Sequence, residues 1–415
     1  MDTDNSYRPN TCVIIQAAPN TVFVAISMIF LYISIVGVGF LPSRIHTDIS
    51  QTGGADNIRQ LFFVSVFLAL TLVYSRRNGV ASLATLLPLH IYLLFGWAAL
   101  TLLWSPVPEI GGRRLMLLAI VCISCFMNVK YFGNERAIRF IFSCLLIFVV
   151  LSVIVGFLVP GVAIHQPDDP EPSIVGGWRG IFFHKNESGF VAAACLIWLV
   201  FSRWRGSYFL KGASFGACGF LLVMSGAKTP LIMLPVSLLL YFTFVLGPRK
   251  LGISFALIAV LFVGVLGLLL FDNIAEILSN PVSLTGRIGL WQSLIYFTQD
   301  NFWTGGGFGS IWDVGTASPL LPYLIIWMYG AAHGHNGYLD TIVAIGFPGL
   351  LLTLFSFFIW PTFKLIKRPA LNIRTRDMIL CLLLFIFLHN LIETDIMYLP
   401  HAPWTLLILL CAIAS

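Results

Sequence analysis

Apolar runs of about 20 residues, divided by shorter polar stretches, recur along the whole of this 415-residue chain. At 1.5 Å rise per residue, a helix of that length crosses the ~30 Å hydrocarbon core of a bilayer. The pattern predicts twelve spans, near 21–40, 61–75, 80–103, 115–132, 139–159, 188–202, 208–225, 230–247, 251–271, 335–360, 378–394 and 402–415. The second and the last are short. The expected fold is therefore an all-α polytopic membrane protein, a single bundle of about 12 transmembrane helices over residues 1–415.

One polar interval is out of scale. Residues 272–334 form a loop of roughly 60 residues between spans nine and ten, where most connections are short. Loops of that size between packed elements tend to carry function. Within it, Arg287 precedes Ile288, Leu290, Trp291, Leu294 and Ile295. That helical spacing predicts an amphipathic helix lying on the bundle. The stretch from Leu320 to Tyr329 is apolar but too short to span, and reads as a second, interfacial helix. Gly305-Gly306-Gly307-Phe308-Gly309 follows no strand, so it reads as a turn rather than a nucleotide loop.

Composition agrees with the pattern. The chain is 58% hydrophobic and only 10% charged, with mean hydropathy +0.91, where soluble domains are about a quarter charged. No hydrophilic stretch is long enough for a second domain. The formal charge of +6 does not point to nucleic acid, because the cations sit in loops between spans. With a cytoplasmic N-terminus, the inner loops hold Arg76, Arg77, Lys130, Arg136, Arg139, Arg203, Arg205, Lys211, Arg249, Lys250, Lys364, Lys367, Arg368, Arg374 and Arg376. These are 15 of the 24 basic residues, against two acids, Glu135 and Asp377. The positive-inside rule favours this orientation, which puts 272–334 on the outer face. Six of the eight cysteines lie well inside apolar spans, and Cys122-Ile123-Ser124-Cys125 reads as helix packing. Met1-Asp2-Thr3-Asp4 lacks a basic n-region, so the first span is expected to remain.

The outward cations run against the topology signal and so mark candidate chemistry. Arg287 begins the amphipathic helix, and a guanidinium offers a planar fork matched to phosphate oxygens. Lys228, in Ser225-Gly226-Ala227-Lys228-Thr229, interrupts an otherwise apolar hairpin. Arg179, His184 and Lys185 stand in an aromatic-rich stretch before the sixth span, where an interfacial belt is an equal reading. His333 and His335 flank a glycine beside Asn336 at the start of the tenth span, with Asp340 further along it. The partial positive charge of a helix N-terminus suits a neutral imidazole able to accept a proton, so His335 is a candidate general base. A His-x-His metal site is the rival, but it lacks carboxylate or cysteine companions at ligand spacing, and no metal or cofactor is expected. Asp340, as an intramembrane acid, requires a partner. His389, Asn390 and Glu393 fall three to four apart, on one helical face of the eleventh span.

Taken in order, several of these stretches resemble the O-antigen ligase superfamily, and within it the exopolysaccharide polymerases. They are Trp104-Ser105-Pro106-Val107-Pro108, Arg179-Gly180-Ile181-Phe182-Phe183-His184-Lys185-Asn186 and Ser225-Gly226-Ala227-Lys228-Thr229. They continue with Gly286-Arg287-Ile288-Gly289-Leu290-Trp291, Thr304-Gly305-Gly306-Gly307-Phe308-Gly309, His333-Gly334-His335-Asn336-Gly337-Tyr338-Leu339-Asp340 and Asn390-Leu391-Ile392-Glu393. The resemblance implies a GT-C-like, metal-independent, inverting glycosyltransferase of the bacterial inner membrane, active on the periplasmic face. It implies an undecaprenyl-pyrophosphate-linked glycan donor and a lipid-linked glycan or lipid A-core acceptor, with a chain-length regulator as a possible partner. By position, His335 would assist the acceptor hydroxyl and Arg287 would bind the donor pyrophosphate. Lys228, Arg179, His184, Lys185, Asn336 and His333 would line the substrates, with Asp340, Glu393 and Trp291 in support. Lysine at 228, where many ligases have arginine, loosens the ligase reading. A secondary transporter is the alternative from another class, but internal repeats with matching broken spans are not evident.

Orientation is open to a direct check. A Thr316→Cys variant of a cysteine-free chain should react with a membrane-impermeant maleimide in intact cells. Arg374→Cys should react only after permeabilisation, and the reverse pattern would invert the topology.

Overall fold

The computed structural model describes residues 20–37, 57–169, 174–204, 206–244, 287–325, 328–367, 371–398 and 401–415. The predicted span 251–271, the loop segment 272–286, Met1–Asp4 and Arg249, Lys250 and Arg368 lie outside them. Among the described residues the secondary structure is helical, with a single isolated bridge between Ile164 and Trp178. The helices are α1 (Thr21–Ile35), α2 (Asn57–Asn78), α3 (Leu89–Leu100), α4 (Pro108–Phe132), α5 (Asn134–Leu158), α6 (Lys185–Phe201), α7 (Tyr208–Ser225) and α8 (Lys228–Phe244). They continue with α9 (Arg287–Asp300), α10 (Gly337–Leu354), α11 (Ile373–His389) and α12 (Ala402–Ala414). Five described helical stretches, 59–78, 108–132, 134–158, 208–225 and 337–367, are long and apolar enough to cross a membrane. Shorter apolar helices run over 21–35, 89–104, 228–243 and 402–414.

α12 is the hub. It is apolar on every face, and all of its residues are buried, as an all-round hydrophobic helix requires. It packs on α4, α6, α1 and α11. The outer helices show the opposite pattern: Leu61 and Leu68 on α2 and Phe209 and Val223 on α7 are apolar and exposed. In a polytopic protein such positions meet lipid.

Contacts sort the helix ends into two sets, as alternating spans demand. At one end Lys130 Nζ donates to Thr85 O (3.1 Å), Asn134 Nδ2 donates to Ile413 O (3.0 Å), and the Arg77 guanidinium lies 4.4 Å from the Tyr131 ring centre. At the other end residues 305–313 meet the starts of α4 and α10.

The glycine-rich stretch explains how that segment is seated. Phe308 N donates to Thr101 Oγ1 (3.0 Å), Gly306 N to Val343 O (2.8 Å) and Phe347 N to Phe302 O (2.8 Å). A Cβ on Gly307 would stand 2.7 Å from Ser105, and one on Gly305 2.6 Å from Gly346 N. The turn expected from sequence is also a close backbone-to-backbone contact. It is matched by a break in α10, where Gly346 has φ 69° and ψ 179°. Beyond the break the helix continues through a π turn, Phe355–Ile359, into Trp360–Lys367.

Three sequence expectations change. The predicted span 80–103 is interrupted: a 3₁₀ turn at Val80–Leu83 precedes α3, because Pro88 sits at the N-cap and cannot continue a helix. Among the described residues of Leu320–Tyr329, where an interfacial helix was expected, the chain forms a 3₁₀ turn at Leu321–Tyr323 and leaves it at Leu324 in extended backbone. α11 ends at His389, so His389, Asn390 and Glu393 do not share a helical face. Asn390 Oδ1 instead accepts the Asp395 N–H (2.9 Å) and turns the chain.

Gly346→Ala places a Cβ about 2.3 Å from Trp303 O in a backbone region open essentially to glycine alone. It should destabilise the protein by about 1–3 kcal/mol or more, read as a lower melting temperature in detergent, whereas Gly216→Ala, in open space on α7, should not.

Candidate active site

The polar centre forms where α8, α9, α10 and the segment after α11 meet. Arg287, the first residue of α9, donates from Nη1 to Ile392 O (2.8 Å) and from Nη2 to Glu393 Oε1 (3.1 Å). Thr229, in the first turn of α8, donates its hydroxyl to the same Glu393 oxygen (3.0 Å). The other carboxylate oxygen faces His335 Nδ1 at 3.5 Å. Burial works to raise the Glu393 pKa, but the His335 contact and the Arg287 charge outweigh it and hold the carboxyl well below the usual carboxylate range. Glu393 is therefore an anion with three partners from three helical segments.

His335 sits just before α10 with φ 52°, a left-handed conformation that costs a non-glycine residue about 1–2 kcal/mol. Its neighbours hold it there. His335 N donates to His333 Nδ1 (3.3 Å), and the two rings lie 4.1 Å apart. Burial, reinforced by the neighbouring His335 and Arg287 and opposed by Glu393, pushes the His333 pKa down to about 3, so this imidazole stays neutral and accepts. Asn336 is the N-cap of α10: its Oδ1 accepts from Tyr338 N and Leu339 N, and its Nδ2 donates to Leu391 O (3.0 Å). Gly337 N donates to Asn390 O and Glu393 O, both at 3.0 Å, stitching the α10 start to the chain after α11.

Asp340 has the partners that its depth demanded. It accepts from Trp312 Nε1 (2.9 Å), from Gly334 N at both oxygens (3.0 Å) and from the Thr394 hydroxyl. It braces the peptide between His333 and Gly334, and its hydrogen bonds do not extend to the His335 imidazole. Trp291 Nε1 donates to Gly334 O (2.8 Å), so α9 grips the next peptide, between Gly334 and His335.

The remaining sequence candidates gather around the turn between α7 and α8. Arg179 is buried, with Nε donating to Val162 O (2.9 Å). His184 is the N-cap of α6, its Nδ1 accepting from Asn186 N (3.2 Å), and its ring lies 5.4 Å from His165. The Lys185 stem packs over Gly177, where an added Cβ would be 2.6 Å from Cδ. Trp178 N donates to Met224 O (3.0 Å), which ties this stretch to the turn bearing the exposed Lys228 and the buried Thr229. Among the described residues, no three His, Cys, Asp or Glu side chains converge as metal donors.

Sequence reading did not single out Thr229, Thr394 or the buried pair formed by His389 Nδ1 and Asp395 Oδ2 (2.7 Å). The signal for the last was present, since Asp395 closes the polar run Glu393-Thr394-Asp395. Its pairing with the preceding helix end was not.

Breaking the Arg287–Glu393 pair from one side strands a largely buried charge. Glu393→Leu should lower stability by about 3–5 kcal/mol, measured by thermal unfolding in detergent. The double variant Arg287→Met/Glu393→Leu should regain most of the loss, and additive losses would show that the two side chains are not coupled.

No curated protein matches the chain. The family model described as O-antigen ligase matches residues 213–354. This segment contains Lys228, Arg287 and His335 and reaches past the break in α10. Through residues 213–354 the chain carries the domain of the O-antigen ligase/polymerase superfamily.

Proposed function

We propose that the protein is a polysaccharide polymerase of a bacterial inner membrane, working on the periplasmic face without a metal ion. It moves a glycan from undecaprenyl pyrophosphate to a hydroxyl of a lipid-linked acceptor sugar, with inversion at the anomeric carbon. The observation that carries this reading is the convergence of Arg287, His335 and Glu393, from separate segments of a membrane bundle, within a chain bearing an O-antigen ligase domain.

In this mechanism the Glu393 carboxylate accepts the Nδ1–H of His335 and leaves Nε2 as the base. The acceptor oxygen attacks the anomeric carbon as the bond to pyrophosphate breaks, and its proton passes to Nε2. Arg287 keeps part of its donor fork for the departing pyrophosphate, and Lys228 adds a charge from α8. Lys185, Arg179 and His184 shape the neighbouring wall, His333 and Asn336 hold the His335 backbone, and Asp340 and Trp291 brace Gly334. The leaving group is already activated, so orientation and charge stabilisation supply most of the barrier reduction.

The description of the matching family favours a second reading, a ligase that passes the finished glycan to lipid A-core. The centre would work in the same way, and only the acceptor would change.

Purified protein supplied with undecaprenyl-pyrophosphate-linked repeat units, without nucleotide or added metal, should build a ladder of longer lipid-linked products. His335→Ala should slow the ladder by about 10²–10⁴-fold, and Arg287→Ala should weaken binding of the labelled donor lipid. Transfer only after addition of lipid A-core identifies the ligase, and an undiminished ladder from His335→Ala removes the base. Neither product, with the native repeat unit present, returns the transporter.

A further inference from the structure

A cavity of about 60 Å³ lies behind the catalytic peptides, between the start of α4, the 308–313 segment, α10 and the chain after α11. Asp340 and Thr394, which brace the segments bearing His335 and Glu393, form one wall. Much of the rest is apolar, with Phe308, Ile311, Ile345, Ile396 and Met397 lining it. Two ionic groups face it without forming an ion pair. Arg114 directs three of its five N–H donors to backbone, from Nη1 to Gly309 O (2.9 Å) and Trp312 O (2.7 Å) and from Nη2 to Asp313 O (3.4 Å). No hydrogen bond from a described residue is recorded to the Asp313 carboxylate. A half-buried carboxylate is costly unless something donates to it.

Strain marks the same place. Among the described residues, the non-glycine positions with positive φ are Asp313 (55°), His335 (52°) and Met397 (55°). Two of them line the cavity, and the third is the base on the far side of its wall. Methionine gains nothing locally from that conformation, and such outliers persist where the surroundings impose them, commonly at ligand clamps.

We infer that this cavity is a subsite for the acetamido group of an N-acetylated amino sugar. The group's methyl needs an apolar wall, its N–H needs an acceptor such as the Asp313 carboxylate, and its carbonyl accepts from Arg114. A plain hydroxyl edge would leave the Phe308, Ile311 and Met397 faces unused. That the sugar is the acceptor of glycan transfer rests on the function proposed above. Sugar binding itself does not depend on that reading.

The test is ligand-observed saturation-transfer NMR on the full-length protein in detergent. The probes are the methyl glycosides of N-acetylglucosamine, N-acetylgalactosamine and N-acetylmannosamine, each beside its hexose counterpart. At least one N-acetyl glycoside should bind, with the strongest saturation on its acetyl methyl, while its hexose partner binds at least about tenfold more weakly. Asp313→Asn should weaken the N-acetyl glycoside by a similar factor, and Ile396→Phe, which fills the cavity, should abolish the signal. His335→Ala should still bind, and that separates a failure of the subsite from a failure of the transfer mechanism. Equal binding of the hexose, no binding by any N-acetyl glycoside, or unchanged binding in both cavity variants overturns the assignment, whether or not the chain proves to be a polymerase.

Discussion

A single carboxylate organises the polar end of this bundle. Glu393 draws Arg287 from α9, Thr229 from α8 and His335 from the start of α10, and each is held through an oxygen that cannot be lost without stranding a partner. A buried carboxylate is expensive to desolvate, and burial alone would favour its neutral form. The paired guanidinium and the imidazole reverse that preference, so the anion persists. Because the partners come from different helices, the electrostatic requirement is also an instruction for how those helices dock.

The geometry around His335 shows how a strained backbone is held by its surroundings. Its left-handed conformation is flanked by the Asn336 cap on one side and the Gly334 peptide on the other. Asp340 takes the Gly334 N–H and Trp291 donates to the Gly334 carbonyl, so the two peptides on either side of Gly334 are bonded to different helices. An imidazole fixed in this way would lose little further entropy in the proposed role of base, which is the physical meaning of preorganisation. Arg114 and Asp313 of the neighbouring cavity stand on the reverse of the same wall.

The glycine stretch 305–309 performs a different task from the one a phosphate-binding loop would. Its backbone bonds to Val343 and to the Thr101 hydroxyl, and the lack of side chains lets it lie against the α10 break and the Ser105 turn. This seating carries Trp312 to Asp340 and the Arg114-bound carbonyls to the start of α4. The loop is thereby fastened to the membrane bundle by backbone contacts that tolerate little substitution.

Much of the architecture was legible in the chain itself, because membrane spanning is a local demand. Twenty apolar residues satisfy their own backbone as a helix in lipid wherever they occur, so the run lengths announce α4, α5 and α10 without reference to neighbours. The helix α9 was legible from spacing, although Ile295, expected on its inward face, is exposed, and Arg287 and His335 stood out as residues whose polarity is out of place. Local signals failed where a distant partner decides. The interruption of 80–103 turns on a single proline, Pro88, whose effect depends on what the chain does next. The end of α11 at His389 depends on Asn390 bonding to Asp395 instead of continuing the helix. The role of Glu393 as the common partner of Arg287, Thr229 and His335 lay beyond the sequence altogether. It is written in distances between residues more than fifty positions apart, and only the tertiary packing of four segments sets those distances.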